Sequence, residues 1–454
     1  MVTKSETIWR SGPSDAPLPP LVSGLPMIGS ALEMYTDVLG FLVRQYQHMG
    51  PIFRVRVLDE IYTVIAGPQA NQFMAREGNK HFRSKEFWER LDREMGAQTT
   101  LISSDGEVHS RLRQLEKRGY SRSVIEANLP QVVEITKKAI ANWPIGESRA
   151  VYPFFQQLVT EQLGTLIIGT APGEYVRDVV TFVRTGLLTL VTRQRPAFLR
   201  ALPGYKNARA RSFELGNRIL EWHRNNPPGE GREANLIDDA LAAVREGGLL
   251  TEADLMPVAL GPYIAGLDTA ASTAAFLMYA LFKHPQILRS VQEEAEILLG
   301  GEGPTPEKLR GLDILDRALR ETLRRYPIAP ALQRTVVEPF EFAGYRVDAG
   351  GRIFIGTTVA HFLPELHPDP YRFDIDRYLE PRSEQRVSGG FAPFGLGAHT
   401  CLGSALAEVQ IQLTVSTLLH NASFIMDPPY YQLKTRTAPT PAPNKSFQMR
   451  LVRK

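Results

Sequence analysis

Along residues 126–143, EANLPQVVEITKKAIANW, apolar side chains return every three or four positions, the spacing that gives a helix one apolar face. Residues 210–226, 285–300 and 312–326 read the same way, and the long, mostly apolar stretch 250–284 predicts a further helix. Elsewhere the period shortens to two. IFRVRVL (52–58), IYTVIAG (61–67), FEFAGYRVDAGGRIFIG (340–356) and FQMRLVR (447–453) alternate apolar with polar residues and are bounded by Gly or Asp, which predicts short strands. Helix dominates the first 330 residues. The expected fold class is therefore mainly α with small β-sheets, an α+β arrangement. Prolines are dense in the first 30 residues, which hold five of the 33, and in RTAPTPAPNKSF near the end, which holds three; both stretches read as extended or turning.

Charge narrows the partners. With 52 basic and 49 acidic residues the net charge is +3, too small to suggest nucleic-acid binding from the total alone, and none is expected. One cysteine in 454 residues cannot close an intramolecular disulfide, so nothing points to a secreted, cross-linked fold. The N-terminus has no signal-like apolar region and no stretch reads as a bilayer span, so the expectation is a soluble, cytoplasmic protein with no membrane span.

The single thiol, Cys401, sits in FAPFGLGAHTCLGSALAEVQ. A lone cysteine can be a small buried hydrophobe. Here, however, a helical period starts just after it, and a helix N-terminus favours a thiolate through its dipole and unpaired N–H groups. Gly395 and Gly397 ahead of it suit a tight loop whose backbone approaches a bulky cofactor. A nucleophilic role would use His399 as base, but no third orienting residue is evident. Zinc needs paired ligands that are missing. Ligation by one thiolate leaves haem.

Phe394, Gly397, Cys401 and Gly403 match F-x-x-G-x-x-x-C-x-G, and with this the chain resembles the cytochrome P450 haem-thiolate family, in its soluble bacterial type. Further matches follow in the family's order. AGLDT, from Ala265 through Gly266 and Asp268 to Thr269, is similar to the oxygen-activation motif of a long central helix lying over the haem, with the cysteine loop beneath. ETLR supplies Glu321 and Arg324, and FDIDRYL supplies Arg377; the resemblance implies that these three form a buried structural cluster. It runs from about Pro19 to the end, implying an N-terminal tail at 1–18 and a single domain at 19–454.

If helical, DGEVHSRLRQLEKRGYSR places His109, Arg113 and Lys117 on one side and Arg111, Arg118 and Arg122 on the other. A solvated charged helix would look the same. The resemblance implies that His109 and Arg113, with Arg334 and His399, contact the haem propionates, and it leaves the second face for an acidic electron donor. The bare G-x-G beside Cys401 lacks the context of a dinucleotide fold and no P-loop occurs, so electrons must come from a separate protein or the oxidant must be peroxide.

The resemblance implies a mono-oxygenase with haem b, O2 and a separate ferredoxin or flavodoxin with its reductase, acting as a monomer on an apolar small molecule. Phe87, Trp88, Leu332 and Pro441 are the expected pocket lining. A peroxide-driven or rearranging haem-thiolate enzyme is the alternative, and a non-catalytic haem sensor is a third reading. Within LGPYIAGLDT, Pro262 cannot donate to the carbonyl of Val258 and Gly266 weakens the next turn, so a kink or widening is expected there. Asp268 and Thr269 are about 100° apart on a helix, which predicts separate tasks: Thr269 toward oxygen, Asp268 toward solvent protons. The opening PPLVSGLPMIGSALEMY resembles the sterol-demethylase branch, but AGLDT lacks that branch's histidine.

Overall fold

The computed structural model describes residues 8–453. Its contacts divide the chain into two compact units, each drawn from three separate segments: Met1–Glu89, Ile102–Glu107 and Ala329–Cys401 form the first, and Arg90–Leu101, Val108–Ile328 and Leu402–Lys454 the second.

The first unit is built on a five-stranded sheet ordered Ile52–Val57, Glu60–Ala66, Arg352–Gly356, Leu332–Val336, Phe82–Arg83. All neighbours are antiparallel except Glu60–Ala66 with Arg352–Gly356, where Thr63 faces Ile353. The alternation in 52–58 now has its cause: Phe53 and Val55 turn inward with Phe41, Leu42 and Val64, while Arg54 and Arg56 turn out. On the helix Pro68–His81, proline opens the first turn, where its missing N–H costs nothing. Phe73 of that helix is fully buried and packs on Phe340, ring centroids 4.8 Å apart, in a cluster with Ile353 and Ile355. A smaller sheet pairs Trp9–Ser11 with Phe340–Phe342, so part of the segment expected as a tail is stitched onto the unit.

Helices make the second unit. The central helix, Leu255–Lys283, runs unbroken through Pro262. Gly266 serves packing: a Cβ there would come within 2.9 Å of Leu163 Cδ1, on the helix Val151–Leu163 that lies against it. The central helix also corrects the reading of the chain as lacking any bilayer-length apolar run. By length and composition Glu252–Lys283 would pass, but 78% of its most apolar window is buried inside the protein, as befits a core helix. Gln162 ties three helices at their core. Its amide donates to Thr136 at 3.2 Å and Thr414 at 3.1 Å and accepts from Gln410 at 2.9 Å, linking Leu129–Ala141 and Val151–Leu163 to Ser404–Asn421, the helix that follows the cysteine. Buried polar groups joined in this way fix the register of the helices.

Candidate active site

The cysteine loop belongs to the first unit. Gly395 and Gly397 both take φ of +74°, a conformation that residues with a Cβ rarely adopt. At Gly397 the space is also taken, since a Cβ would lie 2.8 Å from the carbonyl oxygen of Met74. The turn closes when the Cys401 N–H donates to the Phe394 carbonyl at 2.9 Å, and the Thr400 hydroxyl donates to the Gly397 carbonyl at 2.7 Å. Cys401 is left exposed just ahead of the helix Ser404–Asn421, as expected from the period of the sequence. Gly403 stands at that helix's N-cap. Leu332 reaches the same loop, its Cδ1 3.7 Å from where a Cβ on Gly395 would sit.

Behind the loop lies a clamp that sequence reasoning missed apart from Arg377. The Arg377 guanidinium is fully buried and donates to Glu384 at 3.1 Å and to the carbonyls of Pro368 and Asp369 at 2.6 Å each. His367 bonds Glu384 at 2.9 Å through Nδ1 and the Gly390 carbonyl at 3.1 Å through Nε2; it satisfies both acceptors only with a proton on each nitrogen. His361 Nε2 accepts from the Ala392 N–H at 2.9 Å, and its ring stacks on Phe391. The first residues of the cysteine loop, 390–392, are thus held by two buried histidines. Burial would raise the Glu384 carboxyl, but hydrogen bonds from Arg382, His367 and Arg377 outweigh it and hold it below its ordinary value.

Arg334, in the same unit, is buried on the strand Leu332–Val336. Its guanidinium donates to the Gln333 carbonyl at 2.8 Å, and among the described residues no carboxylate lies within ion-pair distance. Burial pushes this arginine down to about 10, with Asp105 pulling weakly the other way. Asp105 is itself committed: it accepts from His399 at 3.1 Å and from the Ser84 N–H at 3.1 Å, bonds that outweigh its burial and lower its carboxyl. His399 therefore has a carboxylate partner on one ring nitrogen, which the sequence did not disclose. A buried cation short of an anion, in the same unit as a thiol on a loop shaped by two left-handed glycines, fits a large cofactor carrying carboxylates.

In the second unit, His109 and Arg113 occur on the helix Gly106–Glu116, the histidine buried and the arginine half-buried. The helix ends at Glu116, so the expected second face does not form: Arg111 lies on this helix, Arg118 in the turn after it, where it pairs with Asp239, and Arg122 opens the separate helix Arg122–Glu126 and pairs with Glu126 at 2.7 Å, which leaves two of the three arginines partly neutralised within the chain. Glu321 and Arg324 form a bidentate pair, both contacts 2.8 Å and both side chains fully buried.

On the central helix the Thr269 hydroxyl donates to the Ala265 carbonyl at 2.8 Å, while Ala265 itself is exposed. That bond uses the hydroxyl proton and leaves its oxygen able to accept. Asp268 points elsewhere and is buried. Tyr152 and Gln156 both donate to its Oδ1, and Oδ2 faces the guanidinium of Arg184 at 4.0 Å and of Arg436 at 3.9 Å. Both arginines lie over the Tyr152 ring, Arg436 at 4.3 Å from its centroid. Burial raises the Asp268 carboxyl above its ordinary value, and Arg184 and the two donors offset only part of that. Arg436 arrives on the short hairpin that pairs Thr435–Arg436 with Ala442–Pro443, the same hairpin that carries Pro441. Phe87 and Trp88 meet edge to face at 5.0 Å in the helix Lys85–Met95.

A mainly helical fold with small sheets, whose one thiol is presented on a clamped glycine loop ahead of a helix, defines the haem-thiolate class. The description Cytochrome P450 matches residues 19–442, and the chain belongs to that family. A sterol 14α-demethylase of Mycolicibacterium vanbaalenii is 26% identical over 413 residues, covering 88% of this chain and 90% of the relative. A putative cytochrome P450 136 of Mycobacterium tuberculosis is 28% identical over 450 residues, covering 95% and 88%. Among solved structures, retinoic-acid-bound cyanobacterial CYP120A1 superposes with a TM-score of 0.83 at 24% identity, covering 96% of this chain and 99% of that one. The protein is thus a haem-dependent mono-oxygenase that uses O2, a redox partner and a small-molecule substrate.

Proposed function

We propose that Cys401 would hold haem b through its thiolate, and that the chain works in the cytoplasm as a monomer that hydroxylates or epoxidises an apolar molecule with electrons from a ferredoxin or flavodoxin. The observation that carries this reading is the exposed Cys401 sulfur on its clamped loop, with the buried, anion-free Arg334 in the same unit. Haem with a thiolate ligand supplies O–O bond cleavage and transfer of one oxygen atom. The rest falls to the chain. Phe394, Gly397 and Gly403 shape the loop and its junction with the following helix. Arg334 takes a propionate, aided by His109, Arg113 and a His399 ring oriented by Asp105. Ala265 and Gly266 would keep the helix surface low, the Thr269 oxygen would accept a hydrogen bond, and Asp268 would pass protons inward from the arginine-lined side. Phe87, Trp88, Leu332 and Pro441 present apolar surface to the substrate, and Glu321, Arg324 and Arg377 support the framework.

Names of relatives such as cyclooctat-9-en-7-ol 5-monooxygenase and abscisic acid 8'-hydroxylase support oxidation of an unactivated carbon skeleton. A peroxide-driven enzyme would have little use for the buried acid beside Thr269. The reduced, carbon-monoxide-bound protein is expected to show the strongly red-shifted Soret band of thiolate-ligated haem; a spectrum typical of a histidine ligand would defeat the reading.

A further inference from the structure

In a chain whose net charge is only +3, residues 179–213 of the second unit hold seven basic residues and no acidic one. The middle of this stretch is apolar. PAFLRALPG (196–204) contains a single charge, Arg200, and no residue from 192 to 204 is buried. Phe198 is 63% exposed and Leu202 47%, so two large apolar side chains four residues apart face water on one turn. The turn is fixed from behind. Ala197–Ala201 is a 3₁₀ turn and Pro203 opens the helix Pro203–Asn225; beneath them Glu94 accepts from Arg200 at 3.1 Å, from Arg209 at 2.8 Å and from the Tyr205 hydroxyl at 3.2 Å. The one charge within the apolar run is thereby drawn back and neutralised, while Phe198 and Leu202 stay outward. On either side of them Arg195 and Lys206 are exposed, and neither pairs with a carboxylate among the described residues.

We propose that this turn seats the protein on the surface of an anionic lipid bilayer: Phe198 and Leu202 enter the boundary between headgroups and acyl chains, and Arg195 and Lys206 lie against lipid phosphates. Apolar side chains at the tip of a turn, with cations beside them, match the two layers that such a surface presents. The charge pattern disfavours a second copy of the chain, because a symmetric contact would set one basic segment against the other. Two large side chains on one turn also fall well short of the roughly 800 Å² per partner that a stable protein interface buries. The attachment is peripheral and needs no spanning helix. It goes beyond the mono-oxygenase reading and does not depend on it.

The test is sedimentation of the holoenzyme with sucrose-loaded vesicles, made either of phosphatidylcholine alone or of phosphatidylcholine and phosphatidylglycerol at about two to one, in low and in high salt. Wild type is expected to partition onto the mixed vesicles at least about tenfold more strongly than onto the neutral ones, the scale of two cations near an anionic surface, and to lose that excess in high salt. F198S/L202S is expected to weaken binding to the mixed vesicles at least about tenfold while keeping its salt sensitivity. R195Q/K206Q is expected to bring binding down to the level seen on neutral vesicles. All four positions are exposed, so both double variants should keep the melting temperature and the carbon-monoxide spectrum of wild type. Failure of wild type to bind the mixed vesicles, or equal binding by F198S/L202S, would overturn the proposal. So would a dimer in lipid-free sedimentation velocity that F198S/L202S abolishes, because the exposed pair would then serve self-association.

Discussion

Asp268 and Thr269 are neighbours in sequence with opposite surroundings, and the difference fits the separate tasks proposed for them. The threonine hydroxyl is spent on Ala265, so its oxygen offers an acceptor; the aspartate is buried between two donors and two guanidiniums. Arg184 and Arg436 keep part of their side chains exposed, which gives Asp268 a polar route toward solvent. D268N preserves the shape and the acceptor for Tyr152 but cannot carry a proton. It is expected to slow turnover at least about tenfold, within the range a positioned acid–base group contributes, and to enlarge the solvent isotope effect. T269A is expected to retain haem and substrate yet divert electrons to hydrogen peroxide. Wild-type rate and coupling in both variants would contradict the assignment. Cys401, Asp268 and Thr269 were legible in the sequence because their motifs are local. The partners of Asp268 were not: Tyr152 and Gln156 are 116 and 112 residues away, and only the packing of two helices brings them together.

At the scale of elements, period alone located the helices that keep one solvated face, such as Pro203–Asn225 and Asp313–Arg325. Val151–Leu163 escaped because most of its positions are buried, so no polar face marks its period. The cysteine loop shows the converse. Its glycines were legible as a tight turn, but the histidine clamp behind it was not, since His361 and His367 act on residues 31 and 23 positions further on. Gly397 puts this element to a test. Alanine there meets both an unfavourable φ and the Met74 carbonyl oxygen at 2.8 Å, and unlike a flexible side chain the backbone cannot step aside. G397A is expected to lower stability by about 1–3 kcal/mol and to reduce haem incorporation. G266A, where the neighbour is the mobile end of Leu163, is expected to cost less; thermal denaturation of the two variants side by side decides the order.

For the molecule as a whole, buried charge is the main liability, and most of it is paired: Glu321 with Arg324, Arg377 with Glu384. Glu116 differs, because burial raises its carboxyl from 4.5 to about 7. A carboxyl raised in the folded state leaves stability intact below about pH 4.5 and withdraws it as pH climbs to about 7, by about 3 kcal/mol in all. E116Q is expected to remove that slope, so its melting temperature should exceed that of wild type by more at pH 8 than at pH 4.5; a pH-independent difference would show that the acid is not buried as charged. The charge total did not predict this site, because it arises from local burial in a chain whose net charge is only +3.

The central claim is a bond from Cys401 sulfur to haem iron, and the composition of the chain makes it directly observable. With one cysteine in 454 residues, growth on ³⁴S-labelled cysteine under conditions that prevent transfer to methionine marks this sulfur alone. Resonance Raman spectra of the ferric protein should then show an iron–sulfur stretching band that moves to lower frequency with the heavier isotope; a haem spectrum in which no band responds to the label would contradict the account.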